Sequence, residues 1–266
     1  MSAVEFRNVH KVFAGRQGHV VALAGLTFSL QEGEYVTIVG RTGCGKSTAV
    51  NILLGLMAPT SGEVRVLGFD PSQQFDRLRG RIGAIFQTDR LLPWRTALEN
   101  VRLPMEILGL QESPSGYSPH QWLERLGLKG FEGAYPHELS GGMRQRVAIA
   151  RAMVTGPQVV LADEAFGHLD EVTGGQLRRD FKSLVELTGQ GVLHISHSID
   201  EAITMSDRVI VMGKPGRVIA EVPIPANVTA EERTRLRQRI FESIAQSDAL
   251  PEERPAAARA DTLPHG

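Results

Sequence analysis

The chain has 266 residues with 42% hydrophobic content, enough to bury one large core or a core plus a subdomain, and its composition is not that of a disordered protein. Its 29 Lys and Arg stand against 30 Asp and Glu, a formal net charge of −1 that argues against a basic nucleic-acid module; a single cysteine, Cys44, excludes an internal disulfide framework or a cysteine-rich metal site. Residues 1–6 lack the basic stretch and apolar run of a secretory signal, and no run of about 20 apolar residues predicts a membrane span, so a soluble, cytoplasmic chain is expected.

Short apolar segments over 4–9, 20–23 and 26–30 predict an antiparallel sheet at the start. After a turn at 32–34, the β-branched run Tyr35-Val36-Thr37-Ile38-Val39 predicts a buried strand, and 46–56 has helical spacing that Ala58-Pro59 is expected to stop. A strand over 81–86 leads to Gln87. Between 91 and 155 the pattern turns helical, over 96–109, 119–127 and 140–155, with a Ser/Pro/Gly stretch at 112–119, which predicts an inserted helical subdomain. Strands return at 159–162, 191–196 and 208–212, with a helix from about 170 to 188, and this alternation implies a parallel sheet. A charged amphipathic helix is predicted over 230–246, the centre of a C-terminal helix at 229–248, followed by a Pro- and Ala-rich tail at 249–266 expected to be disordered.

Gly40-Arg41-Thr42-Gly43-Cys44-Gly45-Lys46-Ser47 fits the phosphate-loop pattern G-x-x-x-x-G-K-[ST] between a strand and a helix, where backbone N–H groups and a helix N-terminus converge on an anion. Lys46 would meet the β- and γ-phosphates, and the Ser47 hydroxyl would ligate Mg²⁺. Asp163 and Glu164 close the strand 159–162 at the edge where open α/β sheets bind ligands, the first suited to Mg²⁺ and the second to polarising an attacking water. The same pair also reads as an ordinary polar strand end. His197 and Gln87 fall at the same edge; His197 suits a γ-phosphate oxygen and Gln87 suits Mg²⁺ or water, although either also reads as a loop residue. Ser140-Gly141-Gly142 opens a second helix and reads either as another anion site or as a plain Ser cap.

Taken in order, the phosphate loop, Gln87, Leu139-Ser140-Gly141-Gly142-Met143-Arg144-Gln145, the strand ending in Asp163-Glu164, Gly167-His168-Leu169-Asp170 and His197 resemble an ABC transporter ATPase subunit over roughly residues 4–225. The resemblance implies an α/β P-loop NTPase (RecA-like) parallel-sheet core in a domain spanning 1–228, with an N-terminal antiparallel β subdomain and the helical insertion at about 91–155. It also implies binding of ATP and Mg²⁺ and hydrolysis of ATP. Two subunits would bind head to tail as a homodimer, Ser140, Gly141, Gly142 and Gln145 of one serving the ATP held by the other. By the same resemblance Phe13 stacks on adenine, Thr48 joins the loop residues 40–47 on the nucleotide, Ser47, Gln87 and Asp163 hold the metal, and Asp170 is the D-loop aspartate. Glu164, His197, Lys46 and Gln87 are the catalytic set, with Gln87 as the Q-loop and His197 as the switch histidine. Ala165, His168 and Ser196-His197-Ser198 depart from the usual family pattern, and none removes a group expected to touch phosphate.

Residues 91–101, Leu-Leu-Pro-Trp-Arg-Thr-Ala-Leu-Glu-Asn-Val, are similar to the ATPases of nitrate, sulfonate, taurine and bicarbonate importers. The resemblance implies two membrane permease subunits as partners, an extracytoplasmic solute-binding protein reached indirectly, and a place on the cytoplasmic face of the inner membrane, with no nucleic acid. Leu92 and Trp94 read either as a socket for a coupling helix or as packing of the insertion. A different class, a soluble ABC ATPase acting on DNA or ribosomes, usually carries two ATPase halves, a coiled coil or a zinc insertion, and none is found in this sequence. Cys44 reads either as a reactive thiol at a helix N-terminus or as a small filler.

Overall fold

The structure, a computed structural model, describes residues 2–15, 18–167 and 171–246. The chain opens with β1 (Ser2–Gly15), β2 (Gly18–Gln31), β3 (Tyr35–Val39), α1 (Lys46–Leu53) and β4 (Ser61–Val66). β1 pairs antiparallel with β2 on one side and β4 on the other, giving a three-stranded sheet. The sequence pattern breaks this region into shorter pieces because register shifts at Phe6/Val9 and Val9/Lys11 interrupt the in–out alternation while the ladder continues past them. β4, with Glu63 and Arg65 alternating with Val64 and Val66, alternates for too few residues to be recognised without its partner.

α1 ends at Leu53, three residues before the expected stop. Leu56 N–H donates to the Asn51 carbonyl at 2.9 Å and Gly55 N–H to that of Ile52 at 3.0 Å, with Gly55 at φ +70. This is the paired bonding of a glycine-terminated helix, and Gly55, not Ala58-Pro59, is the signal.

The rest of the chain runs β5 (Ile82–Phe86), α2 (Ala97–Leu108), α3 (Pro119–Arg125), α4 (Gly141–Met153), β6 (Val159–Asp163), α5 (Glu171–Thr188), β7 (Gly191–Ser196), α6 (Ile199–Met205), β8 (Arg208–Gly213), β9 (Arg217–Pro223) and α7 (Ala230–Gln246). The main sheet has the order β5-β6-β7-β3-β8-β9, parallel except for β9. Alternate residues of its strands serve two cores. Val159, Leu161, Leu193 and Ile195 pack with Ile52 and Leu53 of α1 and with the three-stranded sheet, whereas Val160, Ala162 and Val192 pack with α4 and α5 through Val147, Ile149, Leu177 and Phe181.

α2, α3 and α4 form the predicted helical insertion. Thr96 with Glu99 and Ser118 with Gln121 make reciprocal N-terminal caps, and Pro119 sits at the first helical position of α3. The Ser/Pro/Gly stretch is anchored: the Trp122 indole, fully buried, donates to Ser115 Oγ at 2.7 Å, and Ser113 Oγ donates to the Val154 carbonyl at 2.5 Å. α7 packs Ile240 against Ala202, Val211 and Val222, which seats the C-terminal helix on the β8–β9 end. The 249–266 tail, His168 and Asp170 lie outside the described residues.

Candidate functional site

Strand register brings the singled-out residues to one edge. Val39 of β3 lies beside Ser196 of β7, Ile195 beside Asp163 of β6, and Asp163 beside Phe86 of β5. The next residues, Gly40, His197, Glu164 and Gln87, therefore leave the sheet at its carboxyl ends together. A cleft of ≈ 250 Å³ opens there, lined by Thr42, Gly43, Gly45, Lys46, Ser47, Thr48, Glu164 and His197, and by Val20, Val21, Ala22 and Lys214.

The loop's glycines are sterically required. A Cβ on Gly40 would come within 2.4 Å of the Met212 carbonyl; one on Gly45, at φ +108, would come within 2.6 Å of the Ala22 carbonyl. Lys46 is 6% exposed, and its ammonium donates to the carbonyls of Gly40 at 2.7 Å and Arg41 at 3.0 Å. Cys44 is 1% exposed beneath this loop and its thiol is pushed up by burial, against the pull of Lys46, which favours the small-filler reading.

Glu164 adopts φ +51, a left-handed conformation that costs a non-glycine residue on the order of 1 kcal/mol and is held by its N–H donating to the Ile195 carbonyl at 2.9 Å. That turn aims its carboxylate along the edge to His197, whose Nε2 lies 2.7 Å from Glu164 Oε1. Asp163, half-buried beside it, has its carboxyl pushed up by burial and by the Glu164 charge, and drawn down by Arg90, Lys46 and His197. Ser47, Asp163 and Gln87 offer a hydroxyl, a carboxylate and an amide carbonyl, an all-oxygen set that suits Mg²⁺. Among the described residues no group of three or more His, Cys, Asp or Glu is placed to hold a metal ion.

α4 begins with Ser140 as its cap, Oγ accepting from Met143 N–H at 3.2 Å, and with Gly141 exposed. Neither lines the cleft of its own chain. Gln145 corrects the expectation that it faces a second chain: it is 5% exposed, and its amide donates to the Phe86 carbonyl at 3.2 Å and the Ala165 carbonyl at 2.8 Å. It ties the end of β5 to the turn after β6, because the second turn of α4 points into the molecule. Two arginines of α4 hold the segment after Gln87 as well. Arg144 Nε donates to Asp89 Oδ2 at 3.0 Å, and the Arg151 guanidinium donates to the Asp89 and Arg90 carbonyls at 2.6 and 2.7 Å.

Phe13 is 38% exposed and pairs across the β1–β2 ladder with Val20, which with Val21 and Ala22 of β2 walls the cleft, so its ring stands beside the site under Lys11. Leu92 and Trp94 separate: Leu92 is half-buried, its N–H and carbonyl both bonded by the Asn100 side chain, whereas Trp94 is 71% exposed. Lys214, which the sequence motifs do not single out, also lines the cleft. Gly216 places it, exchanging backbone bonds with Ala22 and Ala24 at 2.9 Å.

The sequence matches the ABC transporter family over residues 23–167. It is 40% identical to the taurine import ATP-binding protein TauB of Rhizobium johnstonii over 78% of this chain and 79% of that protein. It is 36% identical to the aliphatic sulfonates import ATP-binding protein SsuB of Bacillus cereus over 90% and 94%. Among solved structures it resembles the ATP-binding cassette MJ0796, dimeric in a post-hydrolysis state bound to ADP and Pi, with TM-score 0.72 and 35% identity, covering 84% of this chain and all of that one.

Proposed function

Because this chain belongs to the ABC transporter family, we propose that it is the ATP-hydrolysing, energy-coupling subunit of an importer, working as a head-to-tail homodimer. The observation that carries the catalytic part is the Glu164–His197 contact at 2.7 Å beside the phosphate loop. ATP would lay its phosphates over the N–H groups that open α1, drawing Lys46 from the loop carbonyls to the more strongly accepting β- and γ-phosphate oxygens. Glu164 orients water for attack on the γ-phosphorus and takes its proton as the bond to the β–γ bridging oxygen breaks and ADP leaves with the electron pair. His197 holds Glu164 and offers its ring to the γ-phosphate. Mg²⁺, carried by Ser47, Asp163 and Gln87, supplies charge neutralisation on the phosphates when bound.

Ser140 and Gly141, exposed at a helix start outside their own cleft, suit the γ-phosphate of a partner's ATP. The dimeric cassette MJ0796 supports that arrangement. For the membrane subunits we assign an apolar groove of ≈ 330 Å³ beside β5, with Phe75, Ile82, Leu103, Pro104, Ile107 and Arg151 on its walls, as the seat of a short amphipathic helix. Arg151 on that wall also holds the segment after Gln87, so a helix seated there touches the site's own support. The names of the relatives support a small solute such as a sulfonate, taurine or nitrate, with the solute-binding protein meeting the membrane subunits and not this chain.

Glu164→Gln tests the catalytic reading. Steady-state hydrolysis is expected to fall by ~10²-fold or more, the scale of a lost general base, while ATP binding persists and traps the dimer on a sizing column. Undiminished turnover in this variant overturns the assignment. Co-purification with membrane proteins, as against ribosomes or DNA, separates the importer from a soluble ABC ATPase.

A further inference from the structure

His197 stands between two serines, and the bonding around them is unlike that of the other helix starts among the described residues. Ser198 caps α6, its Oγ accepting from Glu201 N–H at 3.2 Å, and Ser-x-x-Glu at this spacing ordinarily closes on itself, the Glu carboxylate accepting from the cap's own N–H. α2 and α3 do this with Glu99 and Gln121, both at exposed caps. In α6 the Ser196 hydroxyl is inserted into the ring. Ser198 N–H donates to Ser196 Oγ at 3.0 Å, and Ser196 Oγ donates in turn to the Glu201 carboxylate. The carboxylate has turned inward and is 8% exposed, with Arg178 of α5 3.6 Å away and His194 Nε2 3.8 Å away. Burying a carboxylate is costly, and a surface cap would hold α6 without it.

What the inserted hydroxyl adds is a clamp across one residue. Ser196 Oγ and Ser198 N–H span the backbone of His197, and Ser196 itself is locked in β7 beside Val39, the last residue of the strand that feeds the phosphate loop. We propose that Glu201, acting through the Ser196 hydroxyl, is a positioning residue that fixes the backbone on both sides of His197 and so aims the imidazole at Glu164. The serines that replace the family's usual neighbours of this histidine then have a joint task, one as relay and one as cap. Arg178 carries the same clamp to α5, the helix entered just after residue 170.

This inference rests on the catalytic reading of His197. The test is ATPase kinetics of the full chain with Ser196→Ala, Ser196→Thr, Glu201→Ala and Glu201→Gln, each also combined with His197→Ala. Ser196→Ala and Glu201→Ala are expected to lower kcat by ~10- to 100-fold, the scale of a misaimed catalytic group, with KM for ATP nearly unchanged. Ser196→Thr and Glu201→Gln, which keep a hydroxyl and an acceptor, are expected to restore most of the rate. In the His197→Ala background, single-turnover rates are expected to show no further loss from Ser196→Ala, because the clamp acts only through the ring. Wild-type kcat in Ser196→Ala, or losses that multiply with His197→Ala, overturns the clamp. If Glu201→Ala does not fold, the Ser196→Ala and Ser196→Thr pair decides alone. A His197→Ala enzyme at full turnover overturns the catalytic reading and the clamp with it, whereas a dead His197→Ala beside an unaffected Ser196→Ala removes the clamp only.

Discussion

His194 lies three residues before His197 on β7 and is fully buried, with Nδ1 3.4 Å from both the Tyr35 hydroxyl and Thr37 Oγ1 and with Nε2 lacking a hydrogen-bond partner. Burial pushes its pKa down to about 3, with Arg178 adding to the shift. Between pH 6.5 and 3 the unfolded chain binds a proton here that the folded chain refuses, so stability falls with falling pH across that window and is unaffected above it. His194→Gln is expected to move the acid-unfolding midpoint to lower pH, measured by far-UV circular dichroism. Asp163 has the opposite sign. Its folded pKa is raised, so stability is lost as pH rises above the ordinary carboxylate range, and Asp163→Asn is expected to stabilise the nucleotide-free protein at neutral pH by roughly 0.5–2 kcal/mol while abolishing Mg²⁺-dependent hydrolysis. Thermal melts with and without MgATP check both halves. At this scale the motif residues were legible, since their spacing places them, but the inward facing of Gln145 was not. It depends on how α4 docks, and no local pattern encodes that.

At the scale of elements, Gly55 shows what a single turn can cost. A Cβ there would approach the Pro71 carbonyl to 2.2 Å at a left-handed φ. Gly55→Ala is expected to destabilise by about 1–3 kcal/mol, lowering Tm by about 2–4 °C per kcal/mol, with kcat of the folded fraction unchanged. Differential scanning calorimetry beside an ATPase assay reads this. The strands that carry the chemistry, β3, β6 and β7, were visible in sequence because both of their faces are buried, which leaves mainly apolar, β-branched runs despite the buried Thr37 and His194. β4 and β9, with charged residues among their apolar ones, and α6, seven residues long, leave too little periodicity to read alone. They exist because neighbours complete them.

For the whole molecule, the division into antiparallel sheet, parallel core and helical insertion followed from the changes in hydrophobic period along the chain, whereas the groove beside β5 did not, because Phe75 and Ile107 meet only in the folded protein. Both are largely exposed there. Phe75→Glu combined with Ile107→Glu is expected to abolish co-purification with the membrane subunits while leaving ATPase activity of the isolated chain within about twofold, as for surface changes away from a site. Loss of both together places these residues in the catalytic support instead. α4 starts at Ser140 and ends beyond Arg151, and between those points it holds Asp89, Arg90, Phe86 and Ala165. A helix bonded at so many points works as a stiff strut, so a partner that shifts its Arg151 end by a fraction of an ångström must shift its Ser140 end too. Thermodynamics then makes the traffic two-way: by whatever factor ATP tightens the grip on a membrane subunit, that subunit tightens the grip on ATP.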